Sequence, residues 1–140
     1  MSLYSQGKFE EAIVQIKALN EIYPNVPLLF NLIGACYRQL GQLDGSIKMF
    51  KIAVELKPDY AEAFFNLGSV LMENKMIDEA IESYKKAISI QPNYPDAYNN
   101  LGNILKNDKE YKIVMMYLEK TLKKTMIGVI NKTAINRCIC

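Results

Sequence analysis

The sequence predicts an all-α fold of stacked helical hairpins, and three observations support this prediction. Glycine and proline recur at one constant interval: the glycines are Gly34, Gly68 and Gly102, and the prolines are Pro24, Pro58 and Pro92. Between them, apolar residues follow the spacing of amphipathic helices. The sequence of residues 61–94 also returns in modified form one interval earlier and one interval later. A repeat of about 34 residues containing two helices is typical of an α-solenoid.

Composition limits both the class of protein and the class of partner. Half of the 140 residues are hydrophobic, which is enough apolar surface for a sizeable core. The net charge of +2 is too small to indicate nucleic acid or an anionic membrane as the main partner, and the absence of histidine excludes histidine-based sites. Three cysteines suit a reducing compartment. We therefore expect a cytoplasmic protein whose partner is neither nucleic acid nor a membrane.

The chain is predicted to begin with a partial repeat, residues 1–26. Phe9–Tyr23 has apolar residues at helical spacing and is predicted to be the second helix of that repeat, which Pro24 ends. Residues 1–6 are predicted to be the tail of a first helix. Because most of that first helix is missing, one apolar flank of the second helix is expected to be uncovered, as in a segment of a longer solenoid.

Two complete repeats are predicted next, at residues 27–60 and 61–94. In the first of them, helices are expected over Pro27–Leu40 and Leu43–Leu56, with a tight turn at Gly41. Small residues on one helix are expected to face large residues on the next, so that the helix axes approach closely. The small residues are Gly34, Gly68, Gly102, Ala80 and Ala87, and the large ones are Phe30, Phe64, Tyr98, Phe50 and Tyr84.

The repeat pattern decays towards the end of the chain. Residues 95–126 are predicted to form a degenerate repeat, in which Val114 and Thr121 replace two of the recurring alanines. A helix is still expected at about Tyr111–Lys124, with basic residues in its last turn that complement the helix dipole. Residues 127–140 form either a capping helix or a frayed tail, and the sequence leaves both interpretations open.

Taken together, these recurring residues resemble the tetratricopeptide-repeat (TPR) family over Leu3–Lys124. The resemblance implies a right-handed superhelix in which the first helix of each repeat lines a concave groove, and such grooves usually bind a peptide or a partner protein. The segments AEAFFNLGSVL and PDAYNNLGNIL look most like repeats of the O-linked N-acetylglucosamine transferases and of bacterial proteins that join TPR units to a transferase domain.

The resemblance to the O-linked N-acetylglucosamine transferases implies a role for specific asparagines. In those repeats, an asparagine just before the Leu-Gly pair lines the groove and holds the backbone of the bound peptide. Asn66 and Asn100 match that position. In the preceding repeat Leu32 occupies it and Asn31 lies one residue earlier, so the resemblance gives two matching asparagines.

The chaperone-binding members of the family use groove lysines, arginines and asparagines to clamp a C-terminal carboxylate. The positions that the resemblance assigns to the groove carry Leu28, Asn31, Ala35, Arg38, Glu62, Phe65, Asn66 and Ser69. These residues do not form a basic cradle, so a carboxylate clamp of this kind is rejected.

Eight residues are the candidates for contact with a partner: Asn31, Arg38, Phe65, Asn66, Asn99, Asn100, Asn103 and Lys106. An asparagine amide can pair with a peptide N–H and C=O together. Phe65 either projects into the groove as an apolar anchor or packs on the neighbouring first helix. Arg38 and Lys106 either supply charge at the groove edge or are simply solvated.

The sequence therefore predicts a non-catalytic scaffold that binds a peptide or a partner protein, with no cofactor and no metal. It contains neither a glycine-rich phosphate loop nor a nucleophile motif, and acidic residues at helix starts are explained by the helix dipole. One alternative is the substrate-recognition arm of a larger glycosyltransferase or methyltransferase-type protein. Another is end-to-end self-assembly through the apolar segments Phe9–Leu19 and Ile113–Leu118.

Overall fold

The computed structural model describes residues 3–106, residue 116 and residues 118–125. The helices are α1 Leu3–Ile22, α2 Pro27–Gln39, α3 Leu43–Leu56, α4 Ala61–Glu73, α5 Ile77–Ile90 and α6 Pro95–Leu105. Residues 118–125 are also helical, and the described residues contain no β-strand. The predicted all-α repeat fold is confirmed. The predicted tail, residues 127–140, and most of the segment Ile113–Leu118 lie outside the described residues.

The chain divides into two compact units, Met1–Leu101 and Gly102–Cys140, and the division falls within α6. In the first unit each of the helices α1 to α4 packs on the next one along the chain. The α2–α3 and α4–α5 hairpins are the two complete repeats, and α3 follows the predicted bounds while α2 ends one residue earlier than predicted. Helices α2 and α4 also contact each other, so successive first helices lie side by side.

The turns inside the two hairpins have the same backbone geometry although their residues differ. Gly41, in the turn after α2, adopts a left-handed backbone conformation with φ at +72°. Lys75 adopts the same conformation one repeat later, with φ at +60°. In both turns this residue donates its N–H to the carbonyl three residues earlier at 3.0 Å, and the next N–H reaches five residues back at 2.9 Å. These bonds satisfy carbonyls that the helix end leaves open.

Close contact between a glycine and an aromatic ring holds each hairpin together, as predicted. A Cβ built on Gly34 would lie 2.8 Å from Cε1 of Phe50, and one built on Gly68 would lie 2.8 Å from Cε1 of Tyr84. Both rings are almost fully buried. At Gly102 no such contact is seen among the described residues, where a Cβ would meet nothing within 4 Å. Leu118, which has no ring, stands one repeat interval after Tyr84.

Helix α1 differs from the expected pair of segments. Leu3–Ile22 is one continuous helix that runs through Gly7, whereas a first-helix tail followed by a second helix was predicted. Gly7 stands one interval before Gly41 but does not adopt a positive φ. The turn at Gly41 is stabilised because α2 and α3 pack on each other. In α1 the residues around Gly7 stay helical instead.

Candidate partner-binding face

Side chains from α2, α4 and α6 form a connected surface along the first helices of the repeats. We call the surface that carries Asn31, Glu62, Phe65, Asn66 and Asn100 the first-helix face. Its members are linked to one another, or through the tyrosines next to them, by hydrogen bonds and ring contacts. On α4, Phe65 and Asn66 lie three and four residues after Glu62, which places all three on one side of that helix.

Asn31 joins α2 to α4 at the centre of this face. Its Nδ2 donates to Tyr60 Oη at 3.3 Å and to Glu62 Oε1 at 3.4 Å. Its Oδ1 accepts a bond from Asn66 Nδ2 at 3.1 Å. Only 3 % of Asn31 is exposed, which fits an amide whose donors and acceptor are used inside the protein. Asn31 therefore orients its neighbours, and little of it is accessible to a partner.

Asn66 and Asn100 are both half-buried but have different neighbours. Asn66 donates an N–H of its amide to Asn31 Oδ1, while the Oδ1 of Asn66 accepts no bond from the described residues. Asn100 donates to Tyr84 Oη at 3.3 Å, and Tyr84 in turn donates to Ser69 Oγ at 3.2 Å. Both asparagines therefore use an N–H inside the protein, and neither carbonyl oxygen accepts a bond from the described residues.

Phe65 packs between two tyrosines of the first unit. Its ring stacks on Tyr94 with the centroids 5.0 Å apart and an interplanar angle of 25°. It also meets Tyr84 at 5.8 Å in a tilted arrangement. Phe65 remains half-buried, so these contacts fix its position and leave part of the ring accessible.

Arg38 lies two helical turns beyond Asn31 and pairs across the helices with Glu73. Its Nε donates to Glu73 Oε1 at 2.8 Å, and its Nη2 bonds to the same oxygen. Both side chains are partly exposed, so the pair contributes at most about 1 kcal/mol to stability. The main consequence of the pair is electrostatic: Glu73 compensates the positive charge of Arg38.

Sequence comparison decides the family. The family model for the TPR repeat matches residues 34–75 and 68–108, which is more than half of the chain. The chain belongs to the TPR-repeat family. No curated protein matches it. The more specific likeness to O-linked N-acetylglucosamine transferase repeats is not confirmed.

Solved structures of other TPR proteins are similar to this chain. A crystal structure of MamA is 25% identical with a TM-score of 0.72, and the match covers 86% of this chain and 71% of MamA. A second MamA structure is 26% identical with a TM-score of 0.71, covering 83% and 63%. The first TPR of Spaghetti (RPAP3), bound to the HSP90 peptide SRMEEVD, is 25% identical with a TM-score of 0.69, covering 74% and 82%.

The remaining candidate residues make none of the hydrogen bonds or ring contacts that link the first-helix face among the described residues. Asn99 is exposed on α6 in the first unit. Asn103 and Lys106 are exposed in the second unit. The structure thus brings together Asn31, Phe65, Asn66 and Asn100 through their shared contacts, and Arg38 extends this set along α2. Contact of any of them with a partner stays a prediction.

Two tyrosines and a glutamate belong to this surface although they were not among the candidates. Burial raises the pKa of the Tyr60 hydroxyl, the Glu62 carboxylate raises it further, and the hydrogen bond from Asn31 lowers it. Burial also raises the pKa of Tyr94, with further contributions from Glu62 and Asp96. Both phenols therefore stay neutral beside a carboxylate. The recurrence of Tyr60 and Tyr94 at the repeat interval was the available signal, but it also fits packing between repeats.

Among the described residues, none of the helices combines the length and hydrophobicity that a membrane span requires. The same residues contain no group of three or more cysteine, aspartate or glutamate side chains placed to hold a metal ion.

Proposed function

We propose that this TPR chain is a protein-interaction scaffold without catalytic activity, and that it binds a peptide or an extended segment of a partner protein on its first-helix face. The observation that carries the proposal is the ordered line of side chains joining α2, α4 and α6. A structurally similar TPR domain, the first of RPAP3, holds a peptide, which supports this class of ligand. The low cysteine content supports a cytoplasmic setting as part of the same proposal.

The residues of the first-helix face divide into those that position neighbouring side chains and those that are proposed to contact the partner. Asn31 is buried and orients Asn66 and Glu62, so its role is positioning. Asn66 offers its Oδ1 to a backbone N–H of the bound segment, and Phe65 offers the accessible part of its ring to an apolar side chain. Asn99 adds an exposed amide on α6. Asn103 and Lys106 are proposed contacts carried by the second unit.

Selection of peptides from a random display library, with the immobilised chain as target, tests the proposal. Peptides that bind should lose affinity by a factor of about three to ten when Asn66→Ala is introduced, because one hydrogen bond contributes about 0.5–1.5 kcal/mol. Asn93→Ala, in the exposed loop before α6, is the matched control and should leave affinity unchanged. Circular dichroism should show equal helicity for all three proteins.

The proposal fails if the selected peptides bind the wild type and the Asn66→Ala and Phe65→Ala variants with the same affinity while helicity is intact. Such a result would assign the recognition surface to another part of the chain.

A second candidate function is self-association through α1, and a specific observation favours it. Ile22 and Tyr23 are more than half exposed, and Leu19 is 45% exposed. These side chains form an apolar surface that a second copy of the chain could cover. Size-exclusion chromatography with light scattering over a concentration series tests this candidate, which a constant monomer mass would reject.

A further inference from the structure

The charges on the first-helix face do not balance. Five charged residues lie on this side or against its tyrosines, two of them positive and three negative: Arg38, Lys57, Glu62, Glu73 and Asp96. Arg38 is paired with Glu73. Neither Glu62 nor Asp96 has an ion-pair partner among the described residues. The face therefore carries a local negative charge, although the chain as a whole has a net charge of +2.

Glu62 is held in a fixed position. The buried amide of Asn31 donates to its Oε1, and the same amide also donates to Tyr60. A carboxylate that is already oriented loses less conformational entropy when it binds a cation. Tyr60 and Tyr94 beside it are half-buried, whereas Glu62 itself is exposed and can be reached by a partner.

Aromatic rings lie beside this carboxylate. The charge of Glu62 raises the pKa of both Tyr60 and Tyr94. The ring of Phe65 stacks on that of Tyr94 with the centroids 5.0 Å apart. Tyrosine rings of this chain already accept cations: on this surface Lys57 Nζ lies 5.1 Å from the ring centroid of Tyr60, and elsewhere Lys17 Nζ lies 5.6 Å from that of Tyr37. A guanidinium group can stack on a ring and bond to a carboxylate in the same geometry. Lysine can do so only as a point charge.

We propose that the first-helix face binds a protein segment carrying arginine or lysine, with the cation seated at Glu62 and Asp96 against the Phe65–Tyr94 ring pair. This inference rests on the proposed function and specifies the chemistry of its partner. The preferred residue is arginine, because it uses the rings and the carboxylates together. An acidic peptide such as SRMEEVD, which the similar RPAP3 domain binds, is expected to be disfavoured here.

Two parallel selections from one random peptide library test the inference. The wild-type chain is the first target, and the Glu62→Gln/Asp96→Asn double variant is the second. Peptides selected on the wild type should be enriched in arginine, and this enrichment should disappear on the double variant. Individual arginine peptides should bind the double variant about tenfold more weakly, and the difference should shrink as salt is raised.

Glu55→Gln is the matched control, since Glu55 is exposed on α3, a second helix. It removes one negative charge, against two in the double variant, and should change neither the enrichment nor the affinity. The peptide SRMEEVD serves as the acidic probe and should bind the wild type more weakly than any selected arginine peptide. Circular dichroism checks that the double variant is folded.

The remaining outcomes separate the two proposals. The peptides selected on the wild type could lose affinity when Asn66 or Phe65 is replaced and yet show no enrichment in arginine or lysine. That result would overturn the inference and leave the proposed function standing. Enrichment that persists on the double variant would also overturn it, because the cation would then be bound elsewhere. If the affinity of the selected peptides does not change when any residue of the first-helix face is replaced, both proposals are overturned.

Discussion

Helices α1 and α5 occupy corresponding positions two repeat intervals apart, yet their burial differs sharply. In α5, Ala87 is fully buried and Tyr84 is almost fully buried against α4. In α1, Leu19 corresponds to Ala87 and is 45% exposed, and Ile16, which corresponds to Tyr84, is only half-buried. The same helical periodicity therefore gives a packed helix only where a first helix covers it.

The difference shows what the repeat pattern specifies. It fixes which side of each second helix is apolar, because the spacing of these residues is a property of the helix itself. The size of each residue goes with its packing, because the fully buried position of Ala87 carries a small side chain and the half-exposed position of Leu19 carries a large one. Exchanging residues between the two helices tests this interpretation.

The largest effect is expected from exchanging the corresponding residues of α5 and α1. Ala87→Leu places a larger side chain at a fully buried position, and we expect a loss of about 1–3 kcal/mol in the free energy of unfolding. Leu19→Ala makes the reverse change on a half-exposed surface and should cost less. Urea unfolding followed by circular dichroism measures both. Equal losses would contradict the packing difference.

A smaller effect of opposite sign in the two regions is expected from two glycine substitutions. Gly68→Ala brings a Cβ to 2.8 Å from Cε1 of the buried Tyr84 ring, which has little room to move, so we expect a loss of about 1–2 kcal/mol. Gly7→Ala meets nothing within 4 Å and lies inside α1, so it should stabilise the helix by about 0.5–1 kcal/mol.

Thermal unfolding of the two variants beside the wild type gives the comparison directly. The midpoint should fall for Gly68→Ala and rise or stay level for Gly7→Ala. Destabilisation by Gly7→Ala would show that residues near Gly7 pack against something that requires a glycine there.

The sequence could predict the hairpins and their glycine–aromatic contacts because both members of each contact recur at the repeat interval. It could not predict that Asn31 is buried, or that Arg38 pairs with Glu73. These contacts join helices more than thirty residues apart and depend on the length and direction of individual side chains. Phe65 shows the same limit: the sequence left two roles open for it, and its contacts with two tyrosines depend on how α4, α5 and the segment before α6 are placed within the first unit.

The smallest effect concerns the two turns, where Lys75 holds the left-handed conformation that Gly41 holds one repeat earlier. A side chain with a Cβ adopts this conformation at a cost of about 1 kcal/mol. Glycine avoids this cost but gains freedom in the unfolded chain, so the net stabilisation expected for Lys75→Gly is below about 1 kcal/mol. Gly41→Lys, the reciprocal variant, should destabilise by a similar amount. If chemical unfolding shows that both changes destabilise, the two turns are not equivalent, and the side chain of Lys75 must contribute contacts that offset its backbone strain.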